Sequence, residues 1–236
     1  QLTGPTAAVA PASGGLSRYV SEYGPYPAWK NSTAKYYPCG EAMYPDLLAD
    51  LEKAERFIFL EFFIVRTGKM WKVVEDILVR KAAQGVDVRL IYDDFGSLLG
   101  RPSDFVVRME RAHSRCVPFA PVGPLVSLVM NHRDHRKIVV VDGSVAYTGG
   151  INLADEYINA EERFGYWKDA ALRTEGAAVG NFTVMFLEHW NAFRPSETDY
   201  TPFAPRPEAL PDPSHGVGQP YRARHLAEGA RAGPGT

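Results

Sequence analysis

The sequence predicts a layered α/β domain with a largely parallel sheet. Three observations carry that prediction. Short apolar runs rich in aromatic and β-branched residues alternate with stretches whose apolar residues recur at helical period. Between Phe57 and Phe119 the alternation reads strand, helix, strand, helix, strand. A chain of 236 residues is long enough to bury the core that such layers need.

Taken in order, the first fifteen residues, QLTGPTAAVAPASGG, are small and Pro/Gly-rich. They lack the basic and apolar regions of a signal peptide and are expected to be a mobile linker or a cut end. The stretch from Ser21 to Gly40 is dense in aromatics, Pro and Gly, which predicts an ordered loop region with a short strand near Lys35 to Tyr37. A helix is expected from about Glu41 to Ala54, with Leu47, Leu48 and Leu51 on one face. FIFLEFFIV, from Phe57 to Val65, reads as a buried strand. MWKVVEDILVRKAAQG is an amphipathic helix ended by Gly85, and VDVRLIYDD is a strand. A helix near Ser103 to Ala112, a strand near Arg115 to Phe119, a strand in YWKDAALRTEG and a long helix in AAVGNFTVMFLEHWNAF complete the pattern, with Pro195 as a stop. The rest is Pro/Gly/Arg/Ala-rich and predicts no regular structure. The expected division is therefore a linker at 1–16, a folded unit at 17–195 and an irregular tail at 196–236.

Composition removes several function classes. A net charge of −2 gives no global attraction to nucleic acid or anionic lipid, so any affinity for phosphate must be local. Cys39 and Cys116 form neither a disulfide framework nor a metal-ligand spacing, and read as reduced structural thiols of a cytosol-facing protein. No apolar run reaches the ~18 residues of a membrane span.

The chemistry concentrates in NHRDHRKIVVVDGSVAYTGGINLADEY, from Asn131 to Tyr157. His135 and Lys137 stand one residue apart at the head of an apolar strand, so period two puts both on one face. That pair suits a phosphodiester. The ammonium holds phosphate oxygens as a point charge, while the imidazole can attack phosphorus when neutral or protonate a leaving oxygen when charged. Asp142 is a candidate to orient an imidazole; Asn152 and the Gly149-Gly150 backbone are candidate phosphate donors. The plainer alternative is a hairpin, because Asp142-Gly143 between two apolar runs is a strong turn signal. At average residue frequencies, H-x-K-x4-D arises by chance in roughly one chain in fifty. Adding x6-G-G-x-N lowers that to the order of one in a hundred thousand.

Glu61, mid-strand in an apolar run, needs a partner if buried, and an edge position or a structural salt bridge is its plain reading. Asp93 and Asp94 follow a strand and are expected to cap the loop DDFGS rather than bind metal. His132 and Arg133 read as solvated residues or headgroup contacts, His189 as helix surface or satisfied core. PVGPLVSLVM, Pro121 to Met130, divides between an acyl-chain or membrane contact and a buried strand.

His135, Lys137, Asp142, Gly149, Gly150 and Asn152 match the H-x-K-x4-D-x6-G-[GS]-x-N motif of the phospholipase D superfamily. SEYGPYP, AERFIFLEFFIV, YDDFG, TGGINLADEYIN, FGYWKDAALRTEG and FTVMFLEHWN make the chain similar, over about residues 16 to 195, to the first catalytic half of bacterial cardiolipin synthases. The resemblance implies a phospholipase D-like α/β/α sandwich with a mostly parallel mixed sheet. It further implies conversion of two phosphatidylglycerols to cardiolipin and glycerol, at a bacterial membrane surface with the catalytic domain facing the cytoplasm. No metal or cofactor is implied, and no nucleic acid partner. A histidine at the position of His135 forms a phosphohistidine. Glu61 falls in the family's E-[FY]-F-I segment, which weighs a place near the active site equally with the plain reading.

Such a site uses two histidines in different protonation states. The sequence holds one H-x-K, so a second half is expected from a longer chain or a homodimer. GVGQPY, Gly216 to Tyr221, resembles the opening of that second half, and the remaining residues depart from it, as a fragment or frame-shifted end would. The competing expectations are a single-motif homodimeric phosphodiesterase or nuclease, and an inactive lipid-binding fragment.

Overall fold

A computed structural model of the chain describes residues 11–24, 26–27, 29, 31–98, 100–121 and 133–205. Its centre is a sheet of seven strands: β1 (Ser32–Tyr37), β2 (Phe57–Phe62), β3 (Asp87–Asp93), β4 (Ser114–Phe119), β5 (Lys137–Val141), β6 (Val145–Gly149) and β7 (Ala171–Gly176). They hydrogen-bond in the order β1-β7-β6-β5-β2-β3-β4. Five strands run the same way, and only β5 and β7 oppose them. Parallel pairing is nevertheless confined to β2-β3 and β3-β4, so the sheet is mixed, and its neighbouring pairs are more often antiparallel than expected. The physical reason is the β5–β6 hairpin, which inserts beside β2 in the middle of the sheet.

The helices are α1 (Pro11–Tyr23), α2 (Gly40–Lys53), α3 (Lys69–Ala83), α4 (Phe105–Arg111) and α5 (Val179–Phe193). One sheet face, with Ile58, Leu60, Phe62 and Val139, packs on Leu47 and Leu51 of α2 and Trp71 and Val74 of α3. The other, with Phe59, Ile138 and Val140, packs on Phe186, Leu187 and Trp190 of α5. Strands covered on both sides can carry apolar residues at consecutive positions, which is why FIFLEF is buried throughout. The α/β/α sandwich is thus present.

Two boundaries differ from expectation. A helix begins at Pro11, inside the stretch read as linker, and runs to Tyr23. The folded unit also continues past 195: Tyr200 and Phe203 are buried against the α5 face, and Glu197 pairs with the buried Arg89 at 2.6 Å. Two aromatics and one ion pair anchor a segment whose composition alone reads as irregular. Among the described residues no helix is long and apolar enough to cross a membrane.

Candidate functional site

The carboxyl ends of β2 and β3 and the amino end of β5 meet at one edge of the sheet, where ligands of open α/β sheets bind. His135 lies two residues before β5 at this edge and is exposed. Lys137, the first residue of β5, is buried, opposite Phe62. Its Nζ donates to the His135 carbonyl at 2.7 Å and sits 5.3 Å from the Phe63 ring centre. The same ring lies 4.9 Å from the imidazole. The stem of Lys137 borders an apolar hollow with Met43, Leu47, Val139 and Ile151. Burial there pushes its ammonium down to about 8, against the opposing charges of Asp134 and Asp169. An ammonium held in so poor a solvent is primed to gain from an incoming anion.

Four motif residues do other work than expected. Asp142 sits at the opposite end of β5, in the hairpin turn. Asp142 and Gly143 both have left-handed backbones (φ 53° and 69°), and the turn closes by Ser144 N–H donating to Val141 O at 3.0 Å. The Asp142 carboxylate accepts from the backbone N–H groups of Glu55, Arg56 and Phe57 at 2.8, 2.8 and 2.9 Å. It therefore ties the hairpin to the start of β2, and among the described residues it orients no imidazole. Asn152 is buried; its Oδ1 accepts from Ile64 N–H at 2.9 Å and its Nδ2 donates to the Tyr157 hydroxyl at 2.8 Å. It braces the loop after β2 against the loop after β6. The Gly150 N–H donates to Ala170 O at 3.0 Å, so this donor is used within the fold. Gly149 and Gly150 instead make room: a Cβ on either would collide with Ala170 or with the Asp169 carboxylate.

Asp169 is thereby drawn toward Lys137, a role sequence reasoning missed. Its only local signal is the paired glycines, which leave a side-chain-sized space for it.

Glu61 is fully buried, but alternation along β2 sends it to the α5 face, opposite Phe62 and Lys137. It is a structural ion-pair residue. His189 Nδ1 on α5 lies 3.0 Å from its Oε1, and Arg136 Nε is 2.6 Å from the same oxygen. Arg136 also reaches Asp134 at 3.0 Å and His189 Nδ1 at 2.7 Å. Burial pushes Glu61 up to about 7 despite the His189 bond. Burial also pushes Asp134 up, but its interaction with the neighbouring Glu61 carboxyl and the charge and hydrogen bonds of Arg136 leave it below the usual carboxylate range. Glu61, Asp134 and His189 offer three ligand atoms within 4.8 Å of one another. The Arg136 guanidinium already bonds those atoms, and a metal cation would have to displace it.

Asp93 behaves as expected, with Oδ1 accepting from Gly96 N–H at 2.9 Å; Asp94 pairs with Arg101 at 2.6 Å. Arg133 Nη1 donates to Ala120 O at 3.2 Å. His132, the stretch Val122 to Met130 and GVGQPY lie outside the described residues.

Residues 47–186 match the family described as the phospholipase D-like domain of cardiolipin synthase. An "Uncharacterized protein" of Streptococcus mutans is 45% identical over 190 residues, covering 80% of this chain and 40% of that protein. Cardiolipin synthases of Geobacillus kaustophilus and Alkalihalophilus pseudofirmus are 37% and 38% identical, over 77% and 75% of this chain but 36% and 35% of their own lengths. The chain thus spans only 35–40% of these curated relatives. Among solved structures, phosphatidylserine synthase of Haemophilus influenzae superposes with a TM-score of 0.55 at 12% identity, covering 86% of this chain and 44% of that one. Nuc of Salmonella typhimurium, a phospholipase D family member, superposes at 0.50 and 16% identity, over 70% and 97%. These two likenesses show the fold. The family match and the curated relatives place the chain in the phospholipase D-like cardiolipin synthase family.

Proposed function

We propose that this chain carries one half of a phosphatidyl-transfer site, in which His135 is the nucleophile and Lys137 holds the phosphate. The observation that carries this reading is an exposed His135 whose backbone carbonyl accepts from the buried Lys137 ammonium, at the carboxyl edge of the central strands. A neutral His135 nitrogen attacks the phosphorus of phosphatidylglycerol, and the bond from phosphorus to the glycerol oxygen breaks. A second histidine protonates the leaving glycerol. The same group, now a base, takes a proton from a headgroup hydroxyl of another phosphatidylglycerol, whose oxygen displaces His135 from phosphorus to give cardiolipin. That second histidine belongs to a second H-x-K motif, from a longer protein or a second copy of this chain. A lipid substrate calls for a site at a bacterial membrane surface, and the likeness to cardiolipin synthases favours a domain facing the cytoplasm.

The test incubates phosphatidylglycerol vesicles with the chain, and with a protein that joins it to a second motif. Cardiolipin and glycerol are expected from the two-motif protein, with a loss of about a thousandfold or more for His135→Ala and Lys137→Ala. Turnover surviving both substitutions refutes the assignment. Cleavage of a soluble diester or DNA without lipid transfer would instead favour a phosphodiesterase.

A further inference from the structure

His135 stands outside the sheet it serves. The ladder between β2 and β5 begins at Phe62 and Lys137, and residues 133–136 belong to no strand. What holds this segment is side chains. Asp93 Oδ2 accepts the Asp134 N–H at 3.1 Å, and Asp134 Oδ1 accepts the Arg136 N–H at 3.2 Å. The side chains of Asp134 and Arg136, one on each side of His135, both enter the cluster with Glu61 and His189. Glu61 and Asp134 are almost wholly buried, and each keeps one carboxylate oxygen without a hydrogen-bond partner. The cluster faces α5, while Lys137 faces α2 and α3. His189 is the member supplied by another layer of the sandwich. Its ring is wedged against Phe119 and Phe193, with centroids 5.2 and 5.3 Å away.

We propose that the Glu61–Asp134–Arg136–His189 network is the positioning device of the reacting histidine. By fixing both neighbours of His135 on the α5 face, it holds that imidazole on the opposite face beside Lys137. His189 is then a positioning residue acting across the sheet, touching neither substrate nor phosphate. This inference rests on the reading of His135 as nucleophile, but its first test does not.

In the chain labelled with 13Cε1-histidine, His135 is assigned by the loss of its signal in His135→Gln. A single sharp ring signal is expected for the wild type. In His189→Ala it broadens or splits, and His189→Asn, which keeps a hydrogen-bonding atom near the Nδ1 position, restores it. An unchanged His135 signal in a folded His189→Ala protein overturns the proposal. Should His189→Ala not fold, Arg136→Lys is read in its place, since Arg136 is partly exposed and a Lys cannot bridge the three partners at once. The second test is turnover in the two-motif protein. His189→Ala is expected to lower kcat about tenfold or more with KM within about twofold, as misplacement of a reacting group does. Unaltered kcat, or a change in KM alone, overturns it. If the wild type fails to turn over lipid, the functional reading falls, while the ring signal still decides the positioning.

Discussion

Replacing Asp142 by Ala removes a carboxylate that accepts three backbone N–H groups at 2.8–2.9 Å. A hydrogen bond to a charged acceptor contributes roughly 1.5–3 kcal/mol. The Glu55 and Arg56 N–H groups are near solvent and can be rehydrated, so the three do not sum; about 2–4 kcal/mol is a fair total. The left-handed backbone at φ 53° adds about 1 kcal/mol for Ala, which tolerates that region less well than Asp or Asn. Asp142→Ala should therefore lose about 3–5 kcal/mol, a large share of a typical domain's stability. Asp142→Asn keeps one acceptor oxygen and the backbone tolerance, and should lose about half as much. Urea unfolding at pH 7 measures both, and the midpoint should shift with no change in slope. Stability of Asp142→Ala within about 0.5 kcal/mol of wild type would refute the reasoning. So would an Asp142→Asn protein of intact stability that had lost turnover, since that pattern belongs to a group acting on the imidazole.

Lys137 binds its proton less readily in the fold than its ordinary value of 10.5, at about 8. The unfolded chain therefore holds more protons between those values, and wild-type stability rises with pH across that window. Lys137→Met should be the more stable protein below pH 8, with the gap closing by pH 10.5; a gap independent of pH contradicts the burial of the charge. Glu61 behaves oppositely. Raised from 4.5 to about 7, it binds a proton more tightly in the fold, so its contribution falls as pH rises from 4.5 to 7 and is least favourable above 7. Relative to wild type, Glu61→Gln should gain stability between pH 5 and pH 8 in urea titrations, and a constant difference would argue against a shifted Glu61. Asp155 accepts the Lys69 and Met70 N–H groups at 2.8 and 2.7 Å and so caps α3 from the distant 3-10 turn Asp155–Ile158. Asp155→Ala should cost about 1–2 kcal/mol and lower helicity at the α3 amino end by circular dichroism; an unchanged melting curve would show the cap to be redundant.

Strand and helix order was legible because burial on two faces leaves long apolar runs, and because Gly85 and Pro195 punctuate them. Period two does not reach His135, which precedes the first ladder pair of β5; its nearness to Lys137 rests on the bond from the ammonium to its carbonyl and on the Phe63 ring that both side chains approach. Reading Asp142 as a site residue failed because five intervening residues of a strand separate it from His135 in space, and the turn signal it also carried was the operative one. Glu61 was readable in principle: counting by twos from Phe62 puts it on the other face, but the sequence does not say which face holds the site. His189 and Asp169 reach the edge from α5 and the loop before β7, and nothing near His135 in the sequence marks such long-range partners. Helix α1 escaped notice because PASGG offers no apolar period. The burial of Tyr200 and Phe203 depends on a vacancy beside Phe57 and Phe59 that only the packed sheet defines.

The separation of His135 from Asp142 also gives the spacing of the motif a meaning. At about 3.3 Å per residue, the five residues of β5 span some 16 Å. The four residues between Lys137 and Asp142 are thus a ruler. Their number matches the thickness of the sheet from the edge where phosphate would arrive to the edge where the hairpin is stapled. One added residue would either pull the staple out of reach of Phe57 N–H or turn the Lys137 face toward α5. Length and phase are specified together, by a segment whose own side chains do no chemistry.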